Sequence, residues 1–267
     1  MTADHSVVCC DLDGVVWRGD EPIAGAGTAI SDLRQAGFRV VFVSNNSSQP
    51  VHEVATKLGA AGAPTSADDV VTSAVSAATL LASSLDPGAP VLACAGPGVV
   101  EALETAGLRP VTRPPAKAVV VGLHRGFDFD ELDRASAAVR AGARFVATNL
   151  DATYPVPGGM IPGSGAIAAA VATAAGCAPE VAGKPEQPMV DLIRKRFGSA
   201  GVVVGDRPTT DGALAAALDW PFALVLSGVT QRDPRPGGEA IPEPPPPFVA
   251  DDLAALVPHL VKATTAG

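Results

Sequence analysis

Basic residues are in short supply. The 267-residue chain carries 19 lysines and arginines against 28 aspartates and glutamates, a net charge of −9. Nucleic-acid polymers and anionic membrane surfaces recruit the opposite sign, so neither is an expected partner. A small phosphate ester stays open, because a metal ion and one local lysine can offset the charge. Cysteine is also scarce. Cys9, Cys10, Cys94 and Cys177 form no CxxC pair and no Cys/His cluster along the sequence. A disulfide scaffold is not expected at this length, and a reducing compartment fits. His5, His52 and His259 are scattered, which speaks against a metal site built from histidines. Met1 to His5 lacks the basic-then-apolar pattern of a secretory leader. The most membrane-like stretch, 166–178, is short and dominated by alanine, so it reads as a buried helix. These absences together predict a soluble, cytoplasmic protein.

What is present is a foldable composition, 47% hydrophobic and 18% charged, with a rhythm of strands and helices. The apolar run 6–11 ends in Asp11 and reads as a buried parallel strand. A helix over 26–36 follows, closed by Gly37, then a second apolar strand over 39–44 and a helix after Pro50. The pattern returns late: Val181 to Lys184, a helix over 187–197, a strand over 201–206 ending in Asp206, a helix over 212–218, and a strand over 222–227. Between these halves lie strand candidates at 90–94, 118–121 and 144–147, with helix candidates at 98–106, 129–141 and 165–175. The alternation predicts an α/β fold, a Rossmann-like doubly wound parallel sheet carrying an inserted α/β domain. The expected division is 1–77 plus 181–267 for the core and 78–180 for the insertion. The proline-rich segment 234–247 suits neither helix nor central strand; it predicts a surface loop before a final helix over 251–260.

The chemistry concentrates at strand ends. In Asp11-Leu12-Asp13-Gly14, residues two apart share a side, so both carboxylates face the space beyond the strand. In open α/β sheets that crevice is where ligands bind. Two carboxylates there repel unless a cation intervenes, and oxygen-seeking Mg²⁺ suits them. A DxD by itself is often no more than a polar turn. Three further features accompany it: Ser44-Asn45-Asn46 after the second strand, Gly183-Lys184-Pro185, and Asp206 with Asp211 after a later strand. Nucleophile, metal ligands, anion cradle and neutralising ammonium are the parts that phosphoryl transfer needs.

Taken in order, these stretches resemble the haloacid dehalogenase superfamily, and within it the NagD-like branch with a C2-type cap. Asp11 to Val15, Ser44 to Ser47, Ala147-Thr148-Asn149, Pro162 to Gly165, Gly183 to Glu186 and Gly205-Asp206-Arg207 carry the likeness over nearly the whole chain. The resemblance implies a Mg²⁺-dependent phosphatase of a small phosphorylated metabolite: a sugar phosphate, glycerol phosphate, nucleotide or pyridoxal phosphate. It implies Asp11 as nucleophile and Asp13 as general acid and base. Asp11, the carbonyl of Asp13, and Asp206 would hold Mg²⁺, with Asp211 supporting from behind. Ser44, Asn45 and Lys184 would bind the phosphoryl group. About 140 residues separate Ser44 from Lys184, room for a cap inserted between those motifs. The resemblance also suggests a homodimer through the cap.

Departures from the family pattern fall outside the catalytic set. Thr148-Asn149-Leu150-Asp151 has Leu150 where the family usually has proline, and Gly212 replaces the usual isoleucine after Asp211. Asn149, His124 and Tyr154, the single tyrosine, are cap candidates for substrate contact, each weighed against plain packing. Cys10 reads as a small core residue, and Trp17 and Arg18 as loop packing. Two other readings compete: a phosphotransferase or mutase on the same scaffold, and a phospho-accepting signalling module. The module is about half this length and lacks a cap. Asp13 also supplies acid and base chemistry that a stable phospho-signal would avoid.

Overall fold

Short runs of valine and other apolar residues, bounded by glycine or polar clusters, form the parallel strands of this protein, as burial on both faces requires. The computed structural model describes residues 7–156, 159–232 and 238–265. The chain forms two compact units, one comprising Met1–Val43, Ala55–Val70 and Ile193–Gly267, the other Ser44–Val54 and Val71–Leu192.

The central strand of the first unit is Val7–Cys10. The strand order of its six-stranded sheet is Phe248–Ala250, Phe222–Val225, Gly201–Gly205, Val7–Cys10, Arg39–Ser44, Val70–Thr72. Val7–Cys10 runs parallel to both neighbours, with Cys10 level with Val204 on one side and Phe42 on the other. From it the chain first winds to one side, then returns and winds to the other. The carboxyl end of Val7–Cys10 is therefore the topological switch point, where a crevice opens in sheets of this kind. Val8, Cys9 and Cys10 are buried, as are their neighbours Val41, Phe42, Val203 and Val204. The Ala26–Gln35 helix buries Ala26, Ala29, Ile30 and Leu33, a one-faced stripe. It packs on the last helix, Leu253–Thr265. That helix extends five residues past the expected end and accommodates Pro258. Asp252 caps it, accepting from Ala255 N at 2.8 Å.

The second unit has its own five-stranded parallel sheet, ordered Glu180–Val181, Arg144–Ala147, Ala118–Val121, Pro90–Cys94, Arg109–Val111. The alternation of side chains along each strand feeds two cores. Val91, Val120 and Val146 join Ala74, Leu81 and Leu103 in one. Leu92, Val119, Val121 and Phe145 join Val139, Ile167 and Val171 in the other. Each fully buried Leu, Val or Phe contributes about 1.5–3 kcal/mol of transfer free energy.

Helices at Pro97–Thr105, Phe129–Arg140 and Ser164–Ala175 fall within a residue of the positions read from the sequence. The edge strands Val70–Thr72, Arg109–Val111 and Phe248–Ala250 escaped that reading, as did a helix and a hairpin. The Ser73–Ala82 helix, capped by Thr72, runs across the boundary expected at residue 78. An antiparallel hairpin pairs Thr153–Val156 with Gly159–Pro162. Alanine and serine give the helix little amphipathic signal, and prolines mask the hairpin. Part of the proline-rich segment, 233–237, lies outside the described residues. Of the rest, Glu239–Ala240 pairs with Thr230–Gln231, and no helix forms over 238–247. Among the described residues, no helix is long and apolar enough to cross a membrane.

Candidate active site

Asp11 extends the central strand by one hydrogen bond, its N–H donating to Val204 O at 2.9 Å. The chain then turns tightly. Gly14, at φ 86°, donates to Trp17 O at 2.7 Å, and Val16 N donates to Leu12 O at 2.8 Å. Glycine supplies the left-handed conformation at no steric cost. The turn also folds Trp17 back onto the second carboxylate, its Nε1–H donating to Asp13 Oδ1 at 3.2 Å. Lys57 Nζ lies 4.5 Å over the same indole ring and donates to Gly19 O at 2.6 Å. Arg18 donates to Ser227 O at 2.6 Å. The sequence reading took Trp17 as loop packing, and it is buried in the turn; what that reading lacked was its bond to Asp13, four residues earlier.

Asp206 follows the Gly201–Gly205 strand, and Asp211 follows in a single wide turn over Pro208–Gly212. Asp11, Asp206 and Asp211 are all buried, and each presents an oxygen within 4.8 Å of the others. The sequence expectation sets Asp211 behind the metal ligands; the structure gives its carboxylate the same reach as the other two. The Asp13 side chain is not one of the three. Backbone groups orient the set: Arg207 N donates to Asp211 Oδ2 at 3.1 Å and Val229 N to Asp206 Oδ2 at 2.5 Å. Ser227 Oγ donates to Gly14 O at 2.7 Å, fastening the 227–230 loop against the turn. Gly14 and Gly228 wall the Asp206 carboxylate so closely that a Cβ on either would overlap it. Three buried carboxylates at this spacing repel strongly in a low dielectric. An all-oxygen donor set of this charge fits a hard divalent cation. The residues therefore suit magnesium.

The second unit gathers a different set. Ser44 is buried and its Oγ accepts from Asn46 N at 3.0 Å. Asn45 grips the Lys184 backbone from both sides. Its Oδ1 accepts from Lys184 N at 2.8 Å, and its Nδ2 donates to Lys184 O at 3.1 Å. Asn149 Nδ2 and Ser73 Oγ donate to Asn45 O at 2.7 and 2.6 Å. Gly183 has no side chain because Thr148 O and Asn45 Oδ1 occupy the space. Lys184 itself is 6% exposed. Asn149 also orders its own loop, its Oδ1 accepting from Asp151 N at 3.0 Å. Leu150, in the place of the family's proline, points to solvent at 54% exposure. A hydroxyl relay, Ser47 to Thr148 to Ser164 at 3.0 and 3.2 Å, lies beneath. Tyr154 OH accepts from Asn46 Nδ2 at 3.0 Å. His124 is engaged at both ring nitrogens, by Glu131 at 2.7 Å and Gly122 O at 3.1 Å. Ser73, an isolated serine, was not read from the sequence; Ser47, Thr148 and Ser164 lie in the stretches that carry the family likeness, but their contact with one another was not legible there.

The haloacid dehalogenase-like hydrolase profile matches residues 8–109, and a second profile, HAD-hydrolase-like, matches residues 181–256. D-glycerol 3-phosphate phosphatase from Mycobacterium tuberculosis is 41% identical over 259 residues, covering 96% of this chain and 72% of the relative. The chain belongs to the haloacid dehalogenase-like hydrolases. An acid sugar phosphatase from Staphylococcus saprophyticus is 35% identical over 266 residues, covering 97% of this chain and 99% of the relative. Among solved structures, glycerol phosphate phosphatase from M. tuberculosis in complex with magnesium superposes with a TM-score of 0.83 at 39% identity. The match covers 94% of this chain and 77% of that one. This hydrolase thus has the family's doubly wound sheet with its DxD turn at the switch point.

Proposed function

We propose that this hydrolase is a magnesium-dependent phosphatase of a small phosphomonoester, with Asp11 as its nucleophile. The observation that carries the reading is the buried Asp11–Asp206–Asp211 cluster, three oxygens within 4.8 Å at the sheet's switch point. Relatives of this chain are named as phosphatases, and one solved relative holds magnesium.

In the mechanism, Asp11, Asp206 and the Asp13 carbonyl hold magnesium, and Asp211 completes the carboxylate set. Magnesium, when bound, offsets the negative charge of the carboxylates and of the phosphoryl oxygens. An Asp11 carboxylate oxygen attacks phosphorus, the bond from phosphorus to the leaving oxygen breaks, and an aspartyl-phosphate forms. Asp13 gives its proton to the departing alkoxide. The Asp13 carboxylate then takes a proton from water as that water attacks phosphorus. The Asp11–phosphorus bond breaks, releasing inorganic phosphate and restoring both aspartates. Trp17 Nε1–H, donating to Asp13 Oδ1, orients that carboxylate for the proton transfers. Ser44 hydroxyl, Asn45 N–H and Lys184 ammonium cradle the phosphoryl oxygens. The double grip of Asn45 on the Lys184 backbone supports that assignment, since it fixes the base of the lysine stem.

Residues 78–180 are taken as the cap domain of this family, with Asn149 and Tyr154 as its candidate substrate contacts. The relatives named as a glycerol 3-phosphate phosphatase and an acid sugar phosphatase support a hydroxyl-bearing ester such as a glycerol or sugar phosphate over a flat aromatic one. For His124 a substrate contact would require loosening its Glu131 and Gly122 partners. A cytoplasmic location and a homodimer through the cap belong to the same reading, on composition and family resemblance.

The test is a panel of phosphorylated metabolites assayed by inorganic phosphate release with Mg²⁺. Glycerol and sugar phosphates should be turned over ahead of nucleotides and pyridoxal phosphate. Failure to release phosphate from every ester, p-nitrophenyl phosphate included, would overturn the phosphatase reading.

A further inference from the structure

Cys94, His124 and Glu131 stand 30 and 7 residues apart, yet each presents one ligand atom within 4.8 Å of the other two. This is a Cys/His cluster that the sequence reading did not see. Cys94 ends the Pro90–Cys94 strand, His124 follows the Ala118–Val121 strand, and Glu131 sits in the first turn of the Phe129–Arg140 helix. All three lie within the second unit. Cys94 is fully buried, and the His124 and Glu131 side chains are 12% and 17% exposed. Glu131 is anchored by its own backbone, whose N–H donates to Asp128 Oδ1 at 2.7 Å.

The hydrogen bonds define the imidazole. Gly122 O can only accept, so the Nδ1 nitrogen 3.1 Å away is the one that donates. In the neutral ring the lone pair then sits on Nε2, facing Glu131 Oε2 at 2.7 Å. Two lone pairs at that distance repel unless a proton or a metal cation lies between them. A proton alone would account for the His–Glu pair; the Cys94 sulfur, in the core formed with Leu92, Val119 and Val121, lies within 4.8 Å of both partners and completes a ligand set. A ring nitrogen donating to a backbone carbonyl, with the other left for a cation, is how metal-bound histidines are oriented.

We propose that Cys94, His124 and Glu131 form a second metal site, suited to zinc. Sulfur, imidazole and carboxylate together select a borderline-soft cation rather than magnesium. Three protein ligands leave one tetrahedral position for water. Bonds of about 2.0 Å set tetrahedral ligands about 3.3 Å apart, so the His124–Glu131 pair opens by about half an ångström on binding. Before binding, burial holds the Cys94 thiol protonated, well above its ordinary range. Glu131 and Asp128 add to that effect and Arg134 opposes it. Uptake forms a sulfur–zinc bond and releases to solvent both the thiol proton and the proton shared by His124 and Glu131. The ion would staple a strand end, a loop and a helix start in the second unit. The inference does not depend on the phosphatase reading.

Cobalt(II) is the probe, because thiolate ligation gives it a charge-transfer absorption that oxygen ligands do not. The exposed Cys177 is first removed as Cys177→Ser, so that it contributes no signal. That protein should bind one equivalent of cobalt with the thiolate band, and zinc should displace it. In the same background Cys94→Ser should lose the band entirely, and Glu131→Gln should weaken cobalt binding by about tenfold or more. Asp206→Asn should leave the band unchanged, separating this site from the aspartate cluster. Far-ultraviolet circular dichroism checks that Cys94→Ser is folded; should it not be, the Glu131→Gln titration decides alone. A Cys177→Ser protein with no band, a band that survives Cys94→Ser, or unchanged affinity in Glu131→Gln would each overturn the proposal.

Discussion

Trp17 and Asp13 are joined across one tight turn, indole N–H to carboxylate oxygen at 3.2 Å. The Asp13 side chain is not a member of the Asp11–Asp206–Asp211 cluster, which suits a proton donor to a leaving group. Trp17→Phe keeps the ring under Lys57 and removes only the donor. Turnover of an alkyl phosphate should then fall by about tenfold to a hundredfold, within the range that general acid catalysis supplies. Turnover of p-nitrophenyl phosphate, whose leaving group needs no proton, should fall much less. Equal losses on the two substrates would show that Trp17 acts through the fold instead.

Gly228→Ala tests the wall around Asp206. The added Cβ would lie 2.7 Å from Asp206 Cβ and overlap the carboxylate. The Mg²⁺ concentration giving half-maximal activity should rise by about 10- to 100-fold, the usual cost of disturbing groups that orient metal ligands. A Mg²⁺ titration of activity reads this directly, and an unchanged midpoint would mean that Asp206 does not hold the ion.

Metal-free protein keeps three buried carboxylates in mutual repulsion. Mg²⁺ at a hundred times its dissociation constant should add about 2.7 kcal/mol to stability. For a chain of this size that corresponds to a rise of roughly 5–10 °C in Tm. EDTA should reverse the shift and stop turnover, and added Mg²⁺ should restore both. Identical melting with and without the ion would contradict the site.

Asn45→Ala removes both side-chain bonds to the Lys184 backbone. At about 1–3 kcal/mol for buried groups left unpaired, stability should drop measurably in urea. KM for the phosphate ester should rise in parallel, because the lysine loses its fixed base. Lys184→Met should raise KM and lower kcat with no comparable loss of stability. A Lys184→Met enzyme with ordinary kinetics would remove Lys184 from the phosphate cradle.

Apolar runs ending in aspartate announced the strands and the DxD turn, because backbone periodicity puts both carboxylates beyond one strand end. The Arg39–Ser44 strand and the Ala26–Gln35 helix came out within a residue of the sequence expectation for the same reason. Side-chain contacts made across long separations were not legible. Asn45 meets Lys184 across 139 residues and Ser73 across 28, and a polar residue gives no advance sign of which backbone group it will satisfy. Ser44–Val54 belongs to the second compact unit, although the strand leading into it belongs to the first. The Cys94–His124–Glu131 group was hidden likewise, since only the parallel pairing of Pro90–Cys94 with Ala118–Val121, which sets Cys94 level with Val121, brings the loop that carries His124 beside it.

Asp11→Asn is the most direct test of the nucleophile. The substitution keeps size and backbone bonding and removes the charged oxygen that attacks phosphorus. With Mg²⁺ present and the fold verified, p-nitrophenyl phosphate turnover should drop by about 10⁴-fold or more. Activity close to that of the unaltered enzyme would mean that phosphorus is attacked by some other group.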